Sequence, residues 1–212
     1  MSIIGYLLRI CKKAIKVPVE YKVSIGADCT NLSIISNIEI KYPQQKIKSN
    51  CKLILKKFNP KSASDLGRFT ELVTLLYIRE AYEDAIQVCD LLNDISFHGN
   101  YTTWDNVENS RLVKVRILRR NGDEDGVIEV LNTIIPFENK NIWAQQIQCL
   151  KTYDTNIIEA RKRNSKKDII SWQLIKLEML IRFMELPGFP VDKARLDNEI
   201  EELSKTLRSN II

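Results

Sequence analysis

The sequence has 212 residues, of which 44% are hydrophobic and 28% charged, and a net charge of +5. Seven glycines, six prolines and plentiful aliphatic residues exclude a collagen-like, mucin-like or disordered chain. They leave enough apolar content for one sizeable core or two small ones, and no apolar run reaches the ~20 residues needed to cross a bilayer.

At the start, Ile3, Ile4, Leu7, Leu8, Cys11 and Ile15 recur at helical spacing. The cations Arg9, Lys12, Lys13 and Lys16 follow this stretch or sit late in it, whereas a secretory signal carries them in front. The expectation is a helix packed on the body of the protein, preferred over a membrane-surface helix, which would show the same charge and apolar face. Val19, Tyr21, Val23 and Ile25 then alternate with polar residues, as a half-buried strand does. Ile38, Ile40 and Tyr42 alternate with Glu39 and Lys41, which predicts a second strand. With Gly26 to Asn31 as the turn, the two would make a β-hairpin, although Leu32 to Ile35 blurs the pattern. Ile47, Cys51, Ile54, Leu55 and Phe58 mark one face of a helix that carries Lys48, Lys52 and Lys56 and stops at Asn59-Pro60.

From Ser64, the expected N-cap, everything reads as helix. Leu66, Phe69, Leu72, Val73, Leu76 and Tyr77 form the first apolar face. A break near Glu80 leads to a second helix through Tyr82, Ala85, Ile86, Val88, Cys89 and Leu92. Further helices are predicted over 104–120, 125–135, 139–151, 167–185 and 192–207. Asn121-Gly122-Asp123, Pro136 and Pro187-Gly188-Phe189-Pro190 separate them. The domain division that results is a basic segment, 1–63, and a helical-hairpin domain, 64–212.

Charge divides at the same place. Residues 1–63 hold 12 Lys/Arg against 3 Asp/Glu, and residues 64–212 hold 20 against 24. Within 64–110, only Arg68 and Arg79 oppose nine acids. Such asymmetry bears on partners rather than on fold. It offers two opposite choices, an anionic partner at the basic end or a basic protein on the acidic stretch. The five cysteines are odd in number and widely spaced, so neither a disulfide framework nor a Cys-x-x-Cys metal pair is visible, and a reducing, cytoplasmic setting is expected.

Two stretches align on each other 42 residues apart: Glu80-Ala-Tyr-Glu-Asp-Ala-Ile-Gln and Gly122-Asp-Glu-Asp-Gly-Val-Ile-Glu. Both resemble the turn and second-helix start of a tetratricopeptide-type helical hairpin, Gly-x-Tyr-x-x-Ala-Ile. Tyr82, Ala85 and Ile86 match in the first copy, and Gly122 and Ile128 in the second, where Glu124 replaces the aromatic. The period exceeds the usual one of about 34. The segment from Phe97 to Trp104, with Val107-Glu108 and Arg116 to Gly122, also resembles bacterial helical-hairpin proteins, some of which accompany toxins of the contact-dependent inhibition type as immunity proteins. That resemblance carries over no catalytic residue. It implies stacked antiparallel hairpins, like a fragment of a tetratricopeptide solenoid, and a partner that is a toxin domain.

Chemistry is sparse. With His98 as the one histidine, a catalytic triad, an H-E-x-x-H site and a multi-histidine metal site are excluded or crippled, and His98 itself reads as a loop residue. Asn121, Asp123, Asp125, Gly126 and Glu129 approach a calcium loop, but Asn132 stands where a bidentate Glu is required. The same residues explain a helix turn followed by acids in the next helix's first turn. No metal, no cofactor and no enzymatic activity are expected. Trp104, Trp143 and Trp172 fall on apolar helical faces and read as core anchors.

The fold class expected is mainly α. The function expected is that of a non-catalytic immunity protein that blocks a toxin domain, a nuclease first of all. Its electrostatic contacts would be Glu80, Glu83, Asp84, Asp90, Asp94, Asp105 and Glu108, with Tyr82, Tyr101 and Trp104 as aromatic anchors. A general adaptor of the same build is the first alternative. The second is a nucleic-acid-binding protein using Lys48, Lys52, Lys56 and Lys57. That stripe lacks arginine and interleaved aromatics, so nucleic acid is the less favoured partner.

Overall fold

A computed structural model describes residues 32–95, 100–134, 140–189 and 191–211, with side chains at 102 and 140–144 left aside. Among these residues the fold is all α, with no strand. The helices are α1 (Ser33–Lys41), α2 (Gln45–Lys56), α3 (Ala63–Ile78), α4 (Tyr82–Asp90), α5 (Tyr101–Arg120), α6 (Glu124–Leu131), α7 (Lys140–Lys162), α8 (Lys166–Glu185) and α9 (Lys193–Ile211).

Residues 38–42, expected as a strand, instead form the end of α1 and its cap. The burial pattern gives the reason. Ile35, Ile38 and Tyr42 are buried at helical spacing, while Ile40 is 83% exposed. The partner strand expected at 19–25 lies outside the described residues. Helix α3 begins at Ala63, and its N-cap is Ser62 rather than Ser64. The Ser62 hydroxyl accepts from the Asp65 amide at 3.3 Å. The helix expected over 139–151 continues to Lys162, because Tyr153, Ile157 and Ala160 extend its buried stripe.

Three helix pairs share one joint. Helices α3, α5 and α7 end at 78, 120 and 162, and α4, α6 and α8 start at 82, 124 and 166. The middle residue of each three-residue joint is left-handed: Glu80 (φ 62°), Gly122 (φ 74°) and Asn164 (φ 53°). The backbone closes each in the same way. Ala81, Asp123 and Ser165 each donate an amide to the carbonyl five residues earlier, at 3.0 Å in all three. The 42-residue repeat therefore has a third copy at Asn164.

Helix α3 is buried along most of its length and packs against α5, which in turn packs against α8. Helix α4 lies against α3 and α5, α6 against α5, and α7 against α8. The α1–α2 pair rests on α3 and α4, so Ile35, Ile38, Ile47, Cys51 and Ile54 share one core with Phe69, Leu112 and Leu177. Helix α9 packs on α8 and reaches α3, where Arg208 Nε donates to the Ile78 carbonyl at 2.8 Å. The last helix thus returns to the first hairpin.

Candidate partner-binding surfaces

The acids between 80 and 108 do not form one open face. Glu108 is fully buried on α5, where it accepts from Trp104 Nε1 at 2.7 Å and from Arg182 Nη2 at 2.8 Å. Asp105 lies 3.5 Å from the same guanidinium. Asp84 accepts from Lys41 Nζ at 2.8 Å and from the Tyr42 hydroxyl. Asp90 pairs with Lys114 at 2.5 Å, and Glu80 with Arg208 at 2.8 Å. Only Glu83 and Asp94 are exposed with no ion pair among the described residues.

The aromatic anchors divide similarly. Trp104 is buried beneath the Arg111 guanidinium, which lies 4.9 Å from its ring centroid. Tyr82 is half-buried, and its hydroxyl accepts from Arg120 Nη1 at 2.7 Å. Tyr101 is half-buried at the start of α5. As surface contacts, Trp104 and Glu108 are therefore corrected. They lie on the inner face of α5, where burying the indole contributes more than exposing it would.

Sequence reasoning missed the cations that serve these acids. Arg182 is 1% exposed and joins α8 to α5 through Glu108 and through Asn109 at 2.9 Å. Arg116 is also buried. It donates to Tyr77 Oη at 2.7 Å, Asp197 at 2.6 Å, Glu201 at 2.9 Å and Glu185 at 3.4 Å, joining α3, α5, α8 and α9. Arg111 donates to the carbonyls of Leu92, Asn93, Ile95 and Thr133, anchoring the chain that follows α4 and α6. The signal was present in the sequence, since Arg111 and Arg116 interrupt the apolar face of Val107, Leu112, Val113, Val115 and Ile117. An arginine there must be paired, because an unpaired buried charge costs several kcal/mol.

A second, half-buried group joins α2, α3 and α8. Burial, then repulsion from Glu71, pushes the Glu178 carboxyl up to about 8, while Thr74 and Lys46 act the other way. Thr74 Oγ1 donates to Glu178 Oε1 at 3.2 Å, and Lys46 pairs with Glu71 at 2.5 Å.

The lysine stripe is where the sequence placed it. Helix α2 buries Ile47, Asn50, Cys51 and Ile54 and turns Lys52, Lys56 and Leu53 outward, with Lys48 half-buried at the flank. Lys52 comes no nearer than 4.0 Å to Glu39, and Lys48, Lys56 and Lys57 have no ion pair among the described residues.

The segment resembling a calcium loop is a helix joint. Asp123 is the N-cap of α6, and its Oδ1 accepts from the Gly126 amide at 3.0 Å. Among the described residues no group of three or more His, Cys, Asp or Glu side chains is placed to hold a metal. His98 lies outside the described residues.

Among the described residues, these features define a mainly α protein built on helical hairpins, with an ion-paired interior and a lysine-bearing outer helix. The chain belongs to DUF6707, a family of unknown function, whose model matches residues 25–209. That span covers α1 through α8 and nearly all of α9. No match is found among curated proteins or among solved structures. No helix among the described residues is long and apolar enough to cross a membrane.

Proposed function

We propose that this chain is a binding protein with no chemistry of its own, and that it neutralises a toxin domain by covering it. The observation that carries this reading is the repeated joint: three hairpins closed by the same left-handed turn at Glu80, Gly122 and Asn164. Repeated hairpins of the tetratricopeptide type offer extended surfaces to other macromolecules. The charged groups that tie α5, α8 and α9 together also fix the shape before any partner arrives. Such preorganisation lowers the ordering cost of association.

The test begins with isolation of the tagged full chain from its own organism. Any co-purifying protein is then expressed in a susceptible host with and without the chain. The reading expects one stoichiometric partner whose toxicity the chain abolishes. A general adaptor would instead bring several partners and protect against none. Failure to retain any protein partner would end both readings.

A further inference from the structure

We infer that the outward face of α2, with Leu53 beside Lys52 and Lys56 and with Lys57 at the C-cap, docks an acidic surface of a protein partner. The inference rests on the protein-binding reading above and reverses the sign of partner that the sequence charge favoured.

The first argument is the distribution of charge left over after folding. Helix α2 contains no acid, and its lysines at 48, 52 and 56 stand four residues apart. Like charges at that spacing repel across successive turns, so the stripe costs the helix a few tenths of a kcal/mol per pair. The fold does little to relieve it. Lys46 finds Glu71 and Lys41 finds Asp84, but Lys52 has only Glu39 at 4.0 Å, and Lys56 and Lys57 have no ion pair among the described residues. Meanwhile Glu80, Asp84, Asp90, Asp105 and Glu108 are engaged by Arg208, Lys41, Lys114 and Arg182. A locally unfavourable pattern with so little compensation among the described residues points to a use outside the fold.

The second argument is Leu53. It is 43% exposed, an apolar side chain on the charged side of a helix whose other face already supplies the core contacts. Lys56 stands three residues on, one turn along the same exposed face, while Lys52 is the leucine's exposed neighbour in sequence and Lys57 follows at the extended C-cap. An apolar centre inside a charged rim is the anatomy of a protein interface. Phosphates would satisfy the lysines and give the leucine nothing. The face also lacks the arginines and aromatics that nucleic-acid surfaces use for bidentate contacts and stacking. The fitting occupant is therefore a protein with carboxylates around an apolar recess.

The experiment uses the full chain carrying a photo-crosslinking residue at position 53 or, for comparison, at the exposed Ile128 of α6. Crosslinking is done in the native cells. The expected result is one acidic protein captured from position 53 and not from 128. That protein, purified, should associate with the wild type about tenfold faster at low salt than at high salt. Lys52→Glu with Lys56→Glu should remove most of that rate, and Leu53→Ala should speed dissociation. Unchanged melting of the variants would confirm that they fold. A captured protein that binds the wild type and the charge-reversed chain alike would overturn the assignment of this face while leaving protein binding intact. Capture of nucleic acid from position 53 would overturn the choice of partner. Capture of no protein from either position, and none on the tagged chain, would sink the protein-binding reading itself.

Discussion

Gly122 isolates the energetics of the shared joint. Its φ of 74° is one that L residues adopt at a cost of about 1–2 kcal/mol. A Cβ built there meets nothing within 4 Å, so Gly122→Ala adds no collision and perturbs the backbone alone. Part of the strain is offset because alanine restricts the unfolded chain, by about 0.4–1 kcal/mol. The expected net loss is therefore about 1 kcal/mol, which for a protein of this length lowers the melting temperature by roughly 2–4 °C. The reverse change at the equivalent residue, Asn164→Gly, should be neutral or stabilise by a few tenths of a kcal/mol, because asparagine tolerates this region better than most residues. Urea unfolding of the three proteins at matched slopes measures both differences. Gly122→Ala as stable as the wild type, or Asn164→Gly clearly weaker, would refute the claim that the three joints share one backbone conformation.

Other residues give equally direct tests. Arg182→Met leaves Glu108 buried without its cation and should cost about 3–5 kcal/mol, and a second change, Glu108→Gln, should recover much of it; additive losses in the double variant would disprove the pairing. Glu178 has its folded-state value raised to about 8, so its contribution is fully present below pH ~4.5 and is lost as pH rises towards 8. Glu178→Gln should flatten that fall in the urea midpoint, whereas parallel pH profiles would rule the group out as its source. Asp123→Ala removes the cap of α6 and should cost about 1 kcal/mol. Added calcium should leave melting of the wild type unchanged, and a calcium-dependent rise would restore the ion-loop reading of 121–132.

The helical class was legible because long amphipathic stretches announce themselves at period 3.6, and α3, α5, α8 and α9 fall close to where that period put them. Residues 38–42 were ambiguous for a physical reason. Ile38, Ile40 and Tyr42 satisfy period two, while Ile35, Ile38 and Tyr42 satisfy the helical period, and the isoleucines favour strand by propensity. Tertiary packing chose the second set, leaving Ile40 in solvent. The end of α7 was hidden by Thr152, Asp154, Thr155 and Asn156, weak helix formers that interleave with Tyr153 and Ile157. The third joint escaped notice because Asn164 replaces glycine and Lys166 stands where the first copy has Tyr82. What persists across all three copies is the backbone conformation and an isoleucine, Ile86, Ile128 and Ile170, and neither is conspicuous in a sequence.

The charged surface was less legible than the helices, and the reason is general. A count of acids along a chain measures the field only if folding leaves them unpaired. Here five of the seven acids between 80 and 108 meet a lysine or arginine from a distant helix: Asp84 from α1, Asp90 from α5, Asp105 and Glu108 from α8, and Glu80 from α9. Their cations come from 24 to 128 residues away, a separation no local window detects. Those acids therefore bind the helices to one another, and their field outside the protein is largely cancelled by the partner beside them. The lysines of α2 behave oppositely, since their sequence neighbourhood is equally one-signed but, among the described residues, folding brings them almost no counter-charge. At similar exposure, an unpaired cation reaches farther into solvent than a paired anion, up to a screening length of about 8–10 Å in ordinary salt. An approaching macromolecule would thus meet the α2 lysines as the stronger field, and charge placed by the fold, rather than charge counted along the chain, is what it would respond to.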